Sequence, residues 1–252
     1  MSPSVKKQRK VRLDDFLVEQ GYFSDKDAVL RAVIAKEVRV DDVYVTSAAV
    51  KILPDADIFI KNGRHFVSRG GFKLQGALDH FQQKVDGLRC IDVGSSTGGF
   101  TDCLLQAGAA EVTCVDVNYG QLAWKLRQDP RVKVFERTNI RTADPAQLGA
   151  PFDLAVCDVS FIGLAQLAPV FAQLCGQNGV FLGLIKPQFE SRHDETDHGV
   201  VVREDVRERV INEVTYAFAE VGFVIDGVVT STLKGPEGNV EYLVRAVRRI
   251  SQ

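Results

Sequence analysis

A stretch near the middle of the chain, residues 90–117 (CIDVGSSTGGFTDCLLQAGAAEVTCVDV), constrains the fold more than any other segment. It opens with an apolar β-run, passes through a glycine-rich turn over residues 94–99, and closes with a second apolar run over residues 112–117. Thr101 or Asp102 can cap a helix between the two runs, because short polar side chains accept hydrogen bonds from the first turn of a helix. The order of strand, glycine turn, helix and strand predicts half of a nucleotide-binding βαβ unit.

The glycine turn and the acid that ends the second run narrow the choice of ligand. Asp116 follows Gly94 by 22 positions, near the spacing of roughly 20 at which an acid takes ribose hydroxyls. The turn has the pattern D-x-G-x-x-x-G-G, and it lacks both the GxGxxG of dinucleotide folds and the Lys-Ser/Thr ending of a phosphate-binding loop. S-adenosylmethionine, which has a ribose and a carboxylate but no pyrophosphate, fits this pattern best. Another Rossmann-type ligand or a purely structural turn is the alternative.

Composition places the chain among globular proteins of ordinary makeup. Its 252 residues are 45% hydrophobic and 25% charged, and they suffice for one domain of typical size plus a small one. No apolar run approaches the ~20 residues of a membrane helix, and residues 1–10 lack the apolar core of a signal peptide. We therefore expect a cytoplasmic protein without membrane contact. The five cysteines form no C-x-x-C pair, which favours buried thiols over disulfides or zinc ligands.

Charge is unevenly distributed along the chain. Residues 1–75 hold 14 Lys and Arg against 10 Asp and Glu, whereas the remainder holds 17 against 23. A basic amino-terminal part on an acidic body indicates a nucleic-acid partner. The alternative for the basic cluster within residues 6–10 is a solvated tail.

The amino-terminal segment has the pattern of a small helical module with short strands. Leu13, Phe16 and Leu17 recur at helical spacing. A second helix is expected to run to Val33 with Ser24 as its cap, and three short β-runs follow it. Two short helices and a small sheet therefore form the expected α+β unit.

The sequences RLDDFLVEQG, SDKDAVLRAVI and VRVDDVYV in this segment resemble the S4 RNA-binding domain, a module that grips structured RNA. S4 domains commonly carry a glycine near Lys36 or Glu37, and this chain departs from that pattern. The resemblance implies an S4 domain over residues 1–62, including the basic tail. The basic side chains that we expect to bind RNA are Arg9, Lys10, Arg12, Arg31, Lys36, Arg64 and Arg69.

Ordered motifs extend the resemblance over the rest of the chain. Residues 63–68 are the predicted linker, since Asn62-Gly63 is a turn dipeptide, and a second domain is expected over residues 69–252. The motifs are SRGGFK, DVGSSTGGFT, VDVNYGQL, ERTNIR, CDVSF, LIKPQFE and KGPEGNVEYL. Together with the S4-like segment, they resemble the TlyA family, also labelled hemolysin A, which joins an S4 domain to an FtsJ-like methyltransferase domain.

This resemblance implies an activity and a set of site residues. The implied activity is S-adenosylmethionine-dependent 2'-O-methylation of a ribose, expected to be a cytidine, in ribosomal RNA or ribosomal subunits. FtsJ-like enzymes share a Lys-Asp-Lys-Glu set, which falls here on Lys73, Asp158, Lys186 and Glu241. The residues expected to bind the cofactor are Asp92, Gly94, Ser96, Thr97, Gly98, Gly99, Phe100, Asp116, Asn139 and Asp158. No metal is implied, and the oligomeric state stays open.

The chemistry of a ribose hydroxyl asks for residues of these types. The hydroxyl is a poor nucleophile and must lose its proton as it attacks a methyl carbon, so a general base and a nearby cation help. Lys186 follows an apolar strand and is the candidate base. Burial beside Lys73 is expected to lower its pKa, while Asp158 favours the charged form. Alternatively, most of the rate enhancement comes from alignment of the methyl donor with the hydroxyl, and the base is secondary. Singly, these residues are also explained as a solvated strand end or a turn cap, but their joint occurrence beside a cofactor loop favours a site.

Apolar runs that alternate with helical patterns predict a doubly wound α/β sheet after the linker. The expected strands cover residues 91–93, 112–117, 132–135, 154–157, 180–185, 223–231 and 241–247, and the expected helices cover residues 74–81, 120–127, 164–174 and 205–221. The last two strands have no helix between them and should pair antiparallel. The prediction is a Rossmann-like class I methyltransferase fold with seven strands and a reversed edge hairpin, in the order 3-2-1-4-5-7-6 that the resemblance implies.

Two other function classes remain as alternatives. One is an RNA-binding ribosome assembly factor whose methyltransferase fold no longer turns over, and the complete Lys-Asp-Lys-Glu set disfavours it. The other is a cytolysin, which the hemolysin label suggests but no export signal or membrane helix supports.

Two further groups of residues have competing explanations. His193 and His198 lie in SRHDETDHG, which is more typical of a polar loop than of a metal site. Phe72, Phe161 and Phe189 adjoin the expected site, where they stack RNA bases or pack in the core. We expect core packing for at least two of these three aromatics.

Overall fold

The structure is a computed structural model, and it describes residues 10–19, 22–23, 25–53, 56, 58–61, 66–235 and 237–249. The chain divides into two compact units, Met1–His65 and Phe66–Gln252. This division lies within the stretch expected as a linker. Arg9 and Arg64, two of the expected RNA-binding residues, lie outside the described residues.

The amino-terminal unit combines two helices with short strands. Its elements are β1 (Val11–Arg12), α1 (Leu13–Glu19), α2 (Lys26–Ile34), β2 (Val38–Val40), β3 (Val43–Tyr44), β4 (Lys51–Ile52) and β5 (Ile58–Ile60). Strand β1 pairs antiparallel with β4, and β2 lies between β3 and β5 in an antiparallel sheet. Leu13 and Leu17 of α1 and Val29 and Val33 of α2 are buried at helical spacing, so the two helices form the core of this unit with their apolar faces.

The start of α2 differs from the sequence-based expectation, and the turn after α2 takes a glycine-type conformation without a glycine. Asp25 is the cap, and its side chain accepts a hydrogen bond from the backbone N–H of Ala28 at 2.8 Å, whereas Ser24 lies outside the described residues. After α2, the exposed Lys36 has a φ of 54°, in the left-handed region that favours glycine. The lysine therefore adopts a backbone conformation for which glycine is the usual choice.

The carboxyl-terminal unit is built on one seven-stranded sheet. Its helices are α3 (Gly70–His80), α4 (Gly99–Gln106), α5 (Trp124–Arg127), α6 (Pro145–Leu148), α7 (Ala168–Leu174), α8 (Pro187–Glu190) and α9 (Glu204–Glu220), with 3-10 turns at Leu164–Leu167 and His193–Glu195. Its strands are β6 (Arg89–Val93), β7 (Glu111–Val115), β8 (Val132–Phe135), β9 (Phe152–Cys157), β10 (Cys175–Ile185), β11 (Phe223–Thr230) and β12 (Tyr242–Arg248). None of the described helices is long and apolar enough to cross a membrane.

The strand order confirms the predicted topology. Across the sheet the strands run β8-β7-β6-β9-β10-β12-β11, which is 3-2-1-4-5-7-6 when they are numbered from β6. All pairs from β8 to β10 are parallel, and β12 is antiparallel to both β10 and β11. The edge hairpin is therefore reversed, as expected.

Side chains along the central strands alternate between two cores. Ala155 and Cys157 of β9 belong to the core formed with α7 and α9, whereas Leu154 and Val156 belong to the core formed with α3 and α4. This period of two shows that both faces of the sheet are covered, which explains the nearly continuous apolar runs in the sequence.

Two local predictions in this unit were wrong. Helix α4 begins at Gly99 without a side-chain cap, and both Thr101 and Asp102 are buried within it. The helix expected over residues 120–127 is only the short α5, because the chain between Asp116 and Trp124 forms a loop.

Candidate active site

The carboxyl ends of the parallel strands meet at one edge of the sheet. Asp116 follows β7, Asp158 follows β9 and Lys186 follows β10. Strand β12 runs in the opposite direction, and its first residue pairs with Ile185 at the end of β10. Glu241 therefore reaches the same edge from the antiparallel side. The crevice beyond this edge is where doubly wound sheets bind their ligands.

Lys186 and Asp158 form an ion pair at this edge. Lys186 Nζ lies 2.5 Å from Asp158 Oδ1 and donates a hydrogen bond to Ser160 Oγ at 3.1 Å. The Lys186 side chain is 12% exposed and that of Asp158 is 23% exposed. Because the pair is largely shielded from water, its electrostatic interactions are stronger than those of a surface pair.

Lys73 and Glu241 form a second and more deeply buried pair. Lys73 Nζ lies 2.5 Å from Glu241 Oε2, and the Glu241 side chain is 1% exposed. Gln188 Nε2 donates to Glu241 Oε1 at 3.4 Å, which connects this pair to the segment that begins at Lys186. A buried charge is costly without a partner, so each member of the pair holds the other in place.

The glycine turn after β6 is shaped by close backbone contacts. Gly94 has a φ of 82°, and a Cβ on it would lie 2.6 Å from the backbone oxygen of Asp158. Gly98 has a φ of 97°, and a Cβ on it would lie 2.2 Å from Leu126 Cδ1. The turn therefore needs glycine at both positions, on conformational and on steric grounds.

Asp116 is tied to this turn. Its Oδ2 accepts a hydrogen bond from the backbone N–H of Ser96 at 2.7 Å, and its Oδ1 accepts one from the backbone N–H of Asn118 at 2.8 Å. Each carboxylate oxygen has a second lone pair available for a further donor. Asp116 thus combines a fixed orientation with the capacity to accept two ribose hydroxyls.

Asp92 lies beneath the turn and is fully buried. Its Oδ2 accepts a hydrogen bond from Thr101 Oγ1 at 2.6 Å, while its Oδ1 has no hydrogen-bond partner among the described residues. Burial raises the pKa of Asp92 to about 7. The site therefore contains a buried acceptor that is not satisfied by the protein residues described.

A cleft of about 300 Å³ opens along the carboxyl ends of β6, β7 and β9. Of the expected cofactor residues, those that line it are Gly94, Ser96, Asp116, Asn139 and Asp158. Gly98, Gly99 and Phe100 are instead buried in the packing of the turn, and Thr97 is exposed. The three buried residues and Asp92 are thus placed to shape the cleft rather than to line it, and Thr97 is not among the lining residues.

Phe161 also lines the cleft and is 91% exposed. Its φ of 66° lies in the left-handed region, and its ring centroid is 5.3 Å from that of the partly buried Phe189. Phe72 is partly buried and packs edge to face on Phe66, with 5.0 Å between the ring centroids. Phe161 is therefore the one aromatic of this set that core packing does not explain.

The expected RNA-binding residues are divided between the two units. Lys10, Arg31 and Lys36 are exposed in the amino-terminal unit, where Arg12 forms an ion pair with Asp14, with Arg12 Nη2 2.6 Å from Asp14 Oδ2. Arg69 is partly buried and directly precedes α3. Their contact with RNA stays a prediction.

Cysteine and metal chemistry add little to the site. All five cysteines are buried free thiols, and burial raises the pKa of Cys90 to about 12. In the described part of the chain, no three His, Cys, Asp or Glu side chains are grouped so that they hold a metal ion.

Comparison with known proteins decides the family. Residues 66–248 match the FtsJ-like methyltransferase family. The chain belongs to that family. It is 41% identical over 239 residues to the 16S/23S rRNA (cytidine-2'-O)-methyltransferase TlyA of Mycobacterium tuberculosis, covering 94% of this chain and 89% of that protein. It is 35% identical over 239 residues to Hemolysin A of Brachyspira hyodysenteriae, covering 94% of this chain and all of that protein.

A solved structure of a candidate hemolysin from Streptococcus thermophilus has the same fold. It is 36% identical, with a TM-score of 0.75, and the match covers 97% of this chain and 90% of that one. The match therefore includes the amino-terminal segment as well as the FtsJ-like methyltransferase unit.

An FtsJ-like methyltransferase uses S-adenosylmethionine as its methyl donor, and the residues of the cleft fit that cofactor. Asp116 presents free lone pairs to a ribose, the Gly94 turn leaves no room for a side chain, and Asp92 offers an unsatisfied buried acceptor. The cleft volume of about 300 Å³ is within the range of small-molecule sites. The chain is thus an S-adenosylmethionine-dependent methyltransferase.

Three residues near the lysines had no predicted role. Ser160 contacts Lys186, Gln188 contacts Glu241, and Glu190 bonds to the backbone that follows Asp158. Ser160 lies in CDVSF and the other two lie in LIKPQFE, but neither motif indicates which contacts its residues make. Only the folding of β10 beside β9 brings these segments together.

Proposed function

We propose that this chain transfers the methyl group of S-adenosylmethionine to the 2'-hydroxyl of a ribose in ribosomal RNA, with cytidine as the target nucleotide. The observation that carries the proposal is the presence of two Lys–carboxylate pairs, Lys186 with Asp158 and Lys73 with Glu241, at the edge of the sheet beside the cleft. The relative from Mycobacterium tuberculosis, whose name states this reaction, supports it over nearly the whole chain.

Lys186 takes the proton of the ribose hydroxyl in its neutral amine form, after the ammonium of the resting ion pair has released one proton to solvent. Its amine is held by Asp158 and Ser160, so its position is fixed before substrate arrives. The methyl donor supplies an electrophilic carbon when it is bound. Asp158 lines the cleft and orients the lysine, and its charge stabilises the protonated amine after proton transfer.

Lys73 and Glu241 support this step from the buried side. The positive charge of Lys73 near the site favours an alkoxide as the hydroxyl loses its proton. Glu241 neutralises Lys73 in the resting protein and keeps its side chain from leaving the site. Lys186 and Asp158 therefore take part in the proton transfer, whereas Lys73 and Glu241 contribute to the electrostatic potential at the site.

RNA supplies the acceptor in this proposal. The basic amino-terminal unit resembles an S4 domain and binds the RNA backbone through phosphate contacts. Phe161 offers an exposed ring at the cleft, on which a nucleobase can stack. Because ribosomal RNA is the substrate, we place the reaction in the cytoplasm.

The direct test is methyl transfer to ribosomal subunits. Purified protein is incubated with labelled S-adenosylmethionine and with small and large subunits from cells that lack the modification. Mass spectrometry of nuclease digests should then find a 2'-O-methylcytidine at a single position in one or both RNAs. Binding of subunits and cofactor without any transfer would instead indicate an assembly factor and refute the enzyme proposal.

A further inference from the structure

The loop that carries Asp158 and Ser160 is anchored at its far end. After Phe161 the loop reaches Gly163, and the 3-10 turn begins at Leu164. The first backbone N–H groups of such a turn have no partner within it and need an acceptor from elsewhere. The group that accepts these hydrogen bonds fixes the position of the loop's carboxyl-terminal end.

Glu190, the last residue of α8, supplies the acceptor. Its carboxylate accepts hydrogen bonds from the backbone N–H groups of Leu164 and Ala165. Burial raises the pKa of Glu190. The contact is close, because a Cβ on Gly163 would lie 2.5 Å from Glu190 Oε2. The end of the loop at Gly163 is therefore packed directly against the Glu190 carboxylate.

Glu190 and the candidate base belong to the same short segment. Lys186 immediately precedes α8, and Pro187 fixes the backbone at the start of this helix. At one end of the segment Lys186 bonds to Ser160 in the loop, and at the other end Glu190 bonds to the backbone just after the loop. Phe161 and Phe189 contact each other between these two points.

We propose that Glu190 is a positioning residue for Lys186: by anchoring the loop over residues 158–163, it holds Asp158 and Ser160 against the lysine amine. Glu190 itself touches no reacting group in this proposal. The proposal rests on the proposed function to the extent that methyl transfer is one of its readouts.

The first test compares two substitutions at Glu190. Glu190→Ala removes the acceptor and should lower kcat by roughly 10- to 100-fold, the scale of a small misplacement of catalytic groups. Its affinities for S-adenosylhomocysteine and for RNA should fall by much less than kcat does, since Glu190 itself is not among the residues that line the cleft, although the loop that it anchors is. Glu190→Gln retains one acceptor oxygen and should recover most of the lost kcat.

A matched control separates positioning from simple loss of a turn cap. Asp144→Ala removes another carboxylate that accepts from the start of a short helix, at Ala146 N, away from the lysine. It should cost thermal stability without changing kcat. Equal kcat values in Glu190→Ala and wild type, or a Glu190→Ala loss confined to RNA or cofactor affinity, would overturn the proposal.

A second route to the same clamp uses Gly163. Gly163→Ala places a methyl group against Glu190 and should lower kcat in the wild-type background. In the Glu190→Ala background the collision partner is gone, so the same substitution should add little. Independent, additive losses from the two changes would refute the coupling.

The last readout needs no substrate and no activity. Competitive labelling of the apo protein with acetic anhydride, followed by peptide mass spectrometry, measures the reactivity of each lysine amine. Glu190→Ala should raise the labelling of Lys186 several-fold and leave Lys73 unchanged, because only Lys186 depends on the loop. Unchanged Lys186 labelling would contradict the positioning role even if the enzyme proved to have another substrate. If the labelling result is as expected but the wild-type protein transfers no methyl group, the proposed function is refuted and the positioning role is not.

Discussion

The four charged side chains of the site differ in how they meet solvent. Glu241 and Lys73 are nearly enclosed, whereas Asp158 and Lys186 keep part of their surface at the cleft. A buried ion pair fixes the position of its side chains and adds to the electrostatic potential at the site. A pair that is partly exposed at the cleft can exchange a proton with a substrate. We therefore propose that the proton step involves Lys186 and Asp158 rather than the other pair.

Substitution of either member of this pair should slow methyl transfer far more than it weakens binding of cofactor or RNA. Lys186→Ala and Asp158→Ala should each lower the rate of methyl transfer by roughly 10²- to 10⁴-fold, the usual contribution of a general base. Single-turnover kinetics and calorimetric cofactor titration measure the two effects separately. Lys133→Ala breaks an exposed pair with Glu111 and serves as the control that should retain full activity. Full activity in both site variants would show that the pair is structural.

Asp92 should make the stability of the protein depend on pH. Its pKa rises from 3.8 to about 7 on folding because the carboxylate is buried. The folded state therefore holds this proton more tightly than the unfolded chain does, and the resulting stabilisation is present in acid and is lost as the pH rises to about 7. The loss is on the order of a few kcal/mol.

Asp92→Asn removes this titration while leaving an oxygen for Thr101. Urea unfolding between pH 4 and pH 7 should show that the variant gains stability relative to wild type as the pH increases. A constant difference between the two proteins across this range would mean that Asp92 does not titrate in the folded state.

At the scale of elements, the sheet was predictable and the helix ends were not. Apolar runs in the sequence predicted all seven strands of the second unit. A strand that is buried on both faces of the sheet needs apolar residues at almost every position, so it stands out in the sequence. The start of α4 and the cap of α2 were predicted wrongly, since several short polar residues near a helix start are equally suitable as caps. Local sequence cannot decide between them.

The candidate site divides in the same way. Lys73, Asp158, Lys186 and Glu241 were found from ordered motifs, and the structure pairs them as Lys73–Glu241 and Lys186–Asp158. The pairing itself could not be read from spacing, because it depends on the register of β12 against β10. The clamp by Glu190 depends on contacts between separate segments and leaves no signal in either one.

The glycine turn after β6 should not tolerate a methyl group at Gly98. Gly98→Ala must adopt a φ of 97° and bring its Cβ to 2.2 Å from Leu126. Gly87→Ala is the control, because Gly87 also has a positive φ, of 74°, but its Cβ would meet open space. The control should lose about 1 kcal/mol of unfolding free energy, and Gly98→Ala should lose more and also bind cofactor more weakly. Equal losses in chemical unfolding would contradict the steric account.

At the scale of the whole molecule, the two units should separate two tasks. Residues 66–252 contain the cleft, both ion pairs and two cores of their own. A protein lacking residues 1–65 should keep cofactor affinity near that of the full chain but lose most of its affinity for RNA. The RNA affinity of the full chain should also fall as salt increases, through release of counterions. If the truncated protein methylates subunits at the rate of the full chain, the amino-terminal unit is not the part that binds RNA.

The proposed acceptor of the methyl group is a ribose oxygen. The most direct measurement compares two RNA substrates that are identical except at the target nucleotide, which carries either a ribose or a 2'-deoxyribose. We expect methyl transfer to the first and none to the second, with equal binding of both, because only the acceptor oxygen differs. Methyl transfer to the deoxy substrate would place the methyl group on a base and refute methylation of the ribose.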